Sequence, residues 1–106
     1  MQLKTINLKG KEYCQVVDRL KYFNENFKDG SITTSYEVVN ERIIFTAKII
    51  IGGKVKAMGH AMKGIKREFD FEKAETRAVG RALGIFGIGA DASISTYEEA
   101  REAIGE

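Results

Sequence analysis

Apolar positions recur with two different periods along the chain, and the change of period divides it into helices and strands. Between residues 11 and 27 they follow i, i+3, i+4, i+7 spacing, which predicts a helix over Lys11–Phe27 with one buried stripe. The same spacing predicts a longer helix over Phe71–Phe86, with Asp70 as its N-cap. At the two ends of the chain the sequence predicts a short strand over Met1–Leu8 and a short helix over Tyr97–Ile104.

Three stretches between the two long helices have the composition of strands. They are rich in β-branched and apolar residues, and they are Ser31–Val39, Arg42–Ile51 and Lys54–Met62. The two-residue turns Asn40-Glu41 and Gly52-Gly53 separate them, which predicts an antiparallel meander. The predicted fold class is therefore α+β. A three-stranded antiparallel β-meander carries an N-terminal helix and a long helix on one face (a β-β-β-α core), followed by a short C-terminal helix.

Regular pairing from these turns predicts which side chains face the helices. Tyr36 then opposes Phe45, Phe45 opposes His60, and Ile43 opposes Met62. The predicted core face consists of Ile32, Tyr36, Val38, Ile43, Phe45, Ile49, Met58 and Met62, and it places His60 on the core side. The opposite face carries the small residues Ala57, Gly59 and Ala61, which predict either a shallow trough or an ordinary solvated sheet face.

Length and composition predict a single domain over residues 1–106, with 43% hydrophobic residues. The single cysteine, Cys14, rules out an internal disulfide, and with only one histidine the sequence argues against a structural zinc site from this chain alone. We expect no cofactor and no metal, because the sequence lacks a phosphate-binding glycine loop and a metal-ligand motif. There is no apolar run of membrane length and no secretory signal, so we expect no membrane partner and a cytoplasmic location, the host cytosol if the chain is phage-encoded.

Positive charge is unevenly distributed, although the net charge is only +2. Lys73, Arg77 and Arg81 recur every four residues, which forms a cationic row on one face of the predicted helix. The candidate nucleic-acid-binding residues are Lys48, Lys54, Lys56, Lys66, Arg67, Lys73, Arg77 and Arg81. A solvated helix face is the simpler alternative for the row.

Three further residues of the long helix call for a structural explanation. Gly80 and Gly84 are costly in a helix interior, which indicates that another element or a ligand approaches the backbone there. Glu75 falls within the predicted apolar stripe, where a carboxylate needs a partner. We expect packing roles for these three residues and no catalytic residue.

The segments Glu75–Leu83 (ETRAVGRAL), Gly87–Gly89 (GIG) and Ser93–Glu99 (SISTYEE) resemble a signature of small phage and plasmid single-strand annealing proteins. These proteins look like relatives of the Rad-fifty-two-like and Erf-like superfamily. The resemblance implies a β-β-β-α core, a homo-oligomeric ring or filament, and single-stranded DNA held along a basic groove without a nucleotide cofactor. Arg77 departs from the pattern, which usually has Ser or Ala there.

Two functional hypotheses follow. The first is single-stranded DNA binding and strand annealing through phosphate contacts, in homologous recombination, DNA repair or phage replication. The alternative is an oligomeric protein-interaction or scaffolding module that does not bind nucleic acid. An enzyme acting on a nucleotide or small anion rests only on Glu75 and His60, so we expect a protein that is not an enzyme.

Overall fold

A three-stranded antiparallel sheet with helices on one side forms the body of the protein. The computed structural model describes residues 3–89 and 96–103. In chain order the elements are β1 Ile6–Leu8, β2 Lys11–Tyr13, α1 Val16–Asn26, β3 Gly30–Val39, β4 Arg42–Ile51, β5 Lys54–Gly64, α2 Asp70–Phe86 and α3 Tyr97–Ala103. The sheet order is β3-β4-β5, and β1 and β2 form a separate small hairpin. The α+β class and the antiparallel meander predicted from the sequence are confirmed.

The N-terminal region differs from the prediction. Of the strand predicted over Met1–Leu8, only Ile6–Leu8 forms β1, and Met1 and Gln2 lie outside the described residues. The first residues of the predicted helix form β2 instead, and α1 begins only at Val16. The reason is a tight turn at Lys9 and Gly10, whose φ angles are 54° and 83°. Glu12 strengthens the hairpin by accepting hydrogen bonds from side chains across it.

The register of β3 with β4 follows the prediction without interruption, so Tyr36 pairs with Phe45 and Val38 with Ile43. Both residues nevertheless remain exposed, Tyr36 by 58% and Val38 by 55%. They lie on the helix side of the sheet but at its edge, where α2 leaves more than half of each side chain exposed, so their assignment to the core was wrong.

The register of β4 with β5 contradicts the prediction. A bulge opposite Ile49 and Ile50 adds one residue to β5, so Phe45 pairs with Ala61 rather than with His60. Because side chains alternate with period two, this single residue reverses the faces of β5 beyond the bulge.

The predicted trough and the predicted core positions of β5 therefore exchange places. Ala57, Gly59 and Ala61 are buried under α2, whereas Met58 and Met62 are exposed on the outer face of the sheet. His60 is exposed as well, and its ring Nδ1 lies 3.1 Å from the Thr46 hydroxyl.

The small side chains of β5 and α2 allow the helix to lie very close to the sheet. Ala74, Ala78 and Ala82 are fully buried on the face of α2 that contacts the sheet. A Cβ atom built on Gly59 would lie 2.6 Å from the Ala78 carbonyl oxygen and 2.9 Å from the Ala82 Cα. Only glycine fits there while α2 keeps its position.

Helix α1 packs against α2 and closes one end of the sheet. Phe23 is buried, and a Cβ on Gly30 would lie within 2.5 Å of its ring. Among the described residues, no helix combines the length and the apolar character that crossing a membrane requires. The last residue of the predicted C-terminal helix, Ile104, lies outside the described residues, as do Ser93 and Ser95 of the sequence signature.

Candidate nucleic-acid interface

Cationic side chains meet at the end of the sheet where β4 begins, β5 ends and α2 begins. They surround a polar pocket of about 320 Å³. The charged residues that line it are Arg42, Lys63, Lys66, Arg67 and Asp70. Four cations therefore share one pocket with a single carboxylate.

Asp70 organises the loop that leads into α2. Its Oδ2 accepts hydrogen bonds from the backbone N–H groups of Lys66, at 2.9 Å, and Arg67, at 2.8 Å. Its Oδ1 lies 3.9 Å from Lys63 Nζ. The predicted N-cap role was wrong: α2 begins at Asp70 itself, and the carboxylate bonds backward to the loop instead of forward to the helix. The loop is thereby held with the Lys66 and Arg67 side chains exposed.

The pKa of Asp70 is lowered below its ordinary value, chiefly by the hydrogen bond from the Lys66 N–H group. The Arg67 N–H group and the charges of Lys63 and Arg67 act in the same direction, while burial of the carboxyl opposes them. Asp70 is consequently ionised at neutral pH, and its charge offsets part of the positive charge around it.

The cationic row of α2 continues away from this pocket and meets α3. Lys73 is exposed, whereas Arg77 forms an ion pair with Glu102 and Arg81 Nε lies 3.1 Å from Glu99 Oε2. Glu102 also accepts a hydrogen bond from Lys63 Nζ at 3.1 Å. The pKa of Glu102 is lowered, mainly by its hydrogen bond with Arg77. The carboxylates of α3 thus partly neutralise the second half of the row.

A cleft of about 540 Å³ separates α2 from α3. Phe69 and Tyr97 contribute aromatic rings to it, and its four cations are Arg67, Lys73, Arg77 and Arg101. Three glutamates also line this cleft, so it is less cationic than the pocket at the end of the sheet.

The structure brings together five of the eight cations selected from the sequence. These five lie in the loop between β5 and α2 and along α2 itself, and they are Lys66, Arg67, Lys73, Arg77 and Arg81. The other three lie elsewhere. Lys48 pairs with Thr33 and Met58 on the outer face of the sheet. Lys54 and Lys56 lie at the hairpin end of β5, and a rise of about 3.3 Å per residue puts Lys54 roughly 30 Å from Lys63. The eight cations therefore do not form one strip in the single chain.

Sequence reasoning missed Arg42, Lys63 and Arg101 as members of this surface. Arg42 pairs with Gly64, so the first residue of β4 lies beside the last residue of β5. This neighbourhood follows from the strand register, but only once the bulge in β5 is counted.

The three residues singled out on α2 contact protein groups. Glu75 accepts a 2.7 Å hydrogen bond from the Thr34 hydroxyl, which connects α2 with the edge strand β3. The Gly80 carbonyl accepts a 2.8 Å hydrogen bond from Arg19 Nη1. A Cβ on Gly80 would lie 2.8 Å from methyl groups of Val16 and Thr96.

Gly84 is also buried, near the end of α2. Its carbonyl accepts a hydrogen bond from the N–H group of Gly87, which has the left-handed backbone of a helix C-cap (φ 118°). Close packing therefore explains the glycine at position 80, and at Gly84 the structure shows burial and a capping hydrogen bond to its carbonyl.

The fold and the basic end define a small α+β domain in which α1, the three-stranded sheet and α2 follow one another along the chain. A family model described as Slr1353 N-terminal dsRNA-binding domain-like matches residues 20–86, and the chain belongs to this family. The match runs from within α1 to the end of α2, so it includes both the sheet and the polar pocket. Comparison with curated proteins and comparison with solved structures give no match.

This family assignment overturns the resemblance to single-strand annealing proteins, which was wrong. The short segment that carried the resemblance has a local explanation in the structure. Ala78 and Ala82 pack against the sheet, and Gly80 accommodates α1 and Thr96. A helix that must pack closely on both sides requires small residues at these positions whatever the protein binds.

Proposed function

We propose that this domain binds a nucleic-acid duplex, most specifically double-stranded RNA, through its phosphates. The observation that supports the proposal is the convergence of Arg42, Lys63, Lys66 and Arg67 at one end of the sheet. The description of the family, which names a double-stranded-RNA-binding domain, favours RNA as the duplex.

The cations of the leading loop are suited to phosphate contacts because their backbone is held while their side chains remain exposed. Asp70 binds the N–H groups of Lys66 and Arg67, so both cations emerge from a defined loop. Asp70 and Glu72 occupy the first turn of α2 and offset the positive end of the helix dipole. The side chains of the loop, rather than the helix terminus, therefore provide most of the attraction for phosphate.

The outer face of the sheet favours backbone recognition over base stacking. Its large exposed hydrophobic side chains on β5 are Val55, Met58 and Met62, none of which is aromatic. His60 is the one aromatic ring of β5 on this face, and its Nδ1 lies 3.1 Å from the Thr46 hydroxyl. Proteins that hold single strands usually stack the bases on aromatic rings, whereas duplex RNA is recognised by its shape and its backbone. The character of this face thus supports a duplex as the partner.

The test measures binding by fluorescence anisotropy with duplex RNA of roughly 16 base pairs, the length that such domains span, and with single-stranded DNA of equal length. We expect tighter binding of the duplex RNA and an affinity that falls steeply between about 50 and about 200 mM salt. Reversal of two charges in Lys66→Glu/Arg67→Glu should weaken duplex binding by roughly ten- to a hundredfold, since each lost or reversed phosphate contact costs on the order of 1 kcal/mol.

The matched control is Lys54→Glu/Lys56→Glu, which makes the same change in net charge at the far end of β5. We expect it to retain most of the affinity. Equal losses of duplex affinity in the two double variants would show that binding depends only on net charge and not on this site. Tighter binding of single-stranded DNA than of duplex RNA would reject the duplex as the partner.

A protein-interaction module is the second candidate, and the ion pairs of Arg77 and Arg81 with α3 favour it. The variant Glu102→Gln separates the two functions because it releases Arg77 and Lys63 from a shared carboxylate. A nucleic-acid interface should then bind duplex RNA severalfold more tightly. An interaction module should leave every oligonucleotide unbound at low salt.

The remaining expectations from the sequence keep the status of predictions. They are the absence of enzymatic activity, the lack of a cofactor and the cytoplasmic location. Roles in recombination, repair or phage replication depended on the resemblance that the family assignment overturns.

A further inference from the structure

The two edges of the sheet differ in the features that prevent strands from pairing with other chains. Natural proteins protect such edges with lysines, prolines and bulges. Strand β5 has a bulge and three lysines, Lys54, Lys56 and Lys63. Strand β3 has ten residues in unbroken register with β4, and its sequence, GSITTSYEVV, contains no lysine, arginine or proline.

Strand β3 also exposes hydrophobic side chains along this edge of the sheet. Tyr36 and Val38 on the helix side and Val39 on the outer side are all exposed by 45% or more. Contacts with α2 are limited here: the Tyr36 ring lies 4.9 Å from the ring of Phe71, and Thr34 donates its hydroxyl hydrogen bond to Glu75. Within residues 3–89 and 96–103, the edge of β3 therefore offers both unpaired backbone groups and uncovered apolar surface.

We propose that β3 pairs with β3 of a second copy of this chain, so that two sheets join into one of six antiparallel strands. A strand that meets its own copy across a twofold axis pairs with it in the antiparallel direction, and each copy presents the same surface to the other. The regular, uncharged course of β3 suits this arrangement.

Charge favours a second copy at β3 and disfavours it at β5. Glu37 is the only charged residue of β3. Pairing about the middle of the strand sends the two Glu37 side chains to opposite ends, where each meets uncharged residues. The same operation on β5 would bring Lys54 and Lys56 of one copy beside Lys63 of the other, and like charges across a strand pair are destabilising.

The experiment measures the mass of the protein by sedimentation equilibrium from micromolar to millimolar concentration without nucleic acid. Its result is therefore independent of the proposed function. We expect the mass to rise from 11.8 kDa to twice that value. The variant Ser35→Lys introduces a positive charge at an exposed position in the middle of β3. In the proposed dimer the two introduced lysines would lie close together, so the dimer should weaken at least tenfold.

Asn24→Lys, which makes the same charge change at an exposed position of α1, is the matched control and should dimerise like the wild type. Val38→Lys provides a second β3 variant if Ser35→Lys fails to fold, as judged by circular dichroism. A wild-type protein that stays monomeric at millimolar concentration would overturn the proposal. Unchanged dimerisation of a folded β3 variant would overturn it equally.

Disulfide trapping identifies the strand directly, because Cys14, the one cysteine of the chain, is buried. Single cysteines introduced at Ser31, Thr33 and Ser35 should give an oxidised dimer only at positions near the twofold axis, and Asn24→Cys should give none. A dimer in which no β3 cysteine forms a crosslink would place the interface elsewhere and reject the pairing.

Discussion

The two hairpins of the sheet share the central strand β4, yet one is regular and the other is not. Both turn on two residues with positive φ: Asn40 and Glu41 at 50° and 61°, and Gly52 and Gly53 at 57° and 80°. The β3-β4 hairpin then continues in unbroken register, whereas the β4-β5 hairpin contains a bulge. Similar turns thus lead to different arrangements of side chains on the two outer strands.

The difference shows what the bulge does for the protein. It turns Ala57, Gly59 and Ala61 towards α2 and leaves the larger Met58 and Met62 outside. The helix can then approach β5 closely, and the end of β5 carries Lys63 to the start of α2. In the part of the chain that the structure describes, strand β3 is not covered by α2 in this way. The regular hairpin consequently leaves a free edge, and the irregular one builds the core and the basic pocket.

The largest expected effect comes from breaking the close contact under α2. Gly59→Ala places a Cβ against the backbone of Ala78 and Ala82, which cannot move aside as a flexible side chain would. We expect a loss of about 3 kcal/mol in the free energy of unfolding, measured by urea denaturation.

Gly64→Ala is the control on the same strand, because the nearest atom to its Cβ is the flexible Lys66 Cε at 3.8 Å. It should change stability by less than about 1 kcal/mol. Equal effects of the two substitutions would show that α2 does not depend on the small residues of β5.

A smaller effect tests how the end of β5 is tied to α2. The pKa of Asp70 is lowered from its ordinary value of 3.8, so its ionised form is favoured in the folded state. Its contribution to stability is complete above that value and is lost as the pH falls through the lower folded pKa. We expect urea midpoints of the wild type to fall on acidification through this range, and Asp70→Asn to be less stable at neutral pH with a flatter acid dependence.

Glu68→Gln removes an exposed carboxylate from the same loop and serves as the control for that measurement. It should keep both the neutral-pH stability and the acid dependence of the wild type. If the urea midpoint of Asp70→Asn fell with decreasing pH as steeply as that of the wild type, the role assigned to this carboxylate would be contradicted.

The smallest effect concerns the turns themselves. Glu41 adopts a left-handed conformation that costs a side-chain-bearing residue about 1 kcal/mol, so Glu41→Gly should stabilise the β3-β4 hairpin by about 0.5 kcal/mol after the entropy of glycine is included. Gly53→Ala, at φ 80°, should destabilise the other hairpin by about 1 kcal/mol. Thermal melting of both variants checks the signs, and two shifts in the same direction would refute this account of the turns.

The sequence by itself determined the parts of this protein that depend on neighbours along the chain. The end of α2 at Phe86, the positions of both turns and the pairing of Tyr36 with Phe45 all follow from local spacing and turn chemistry. The basic character of the loop at Lys66 and Arg67 was also visible from the sequence.

Only the tertiary structure decided which face of β5 is buried and which cations meet. In the stretch KAMGHAM one alternating face places the apolar Met58 and Met62 beside the polar Lys56 and His60, and the other face has only alanine and glycine. The hydrophobic pattern therefore does not decide which face is buried. The close approach of α2 requires the face made of alanine and glycine, and the bulge supplies the one-residue shift that presents it. The same shift aligns Arg42 with Gly64 and brings Lys63 beside Asp70, because a strand register is a property of two segments and of the helix that packs on them.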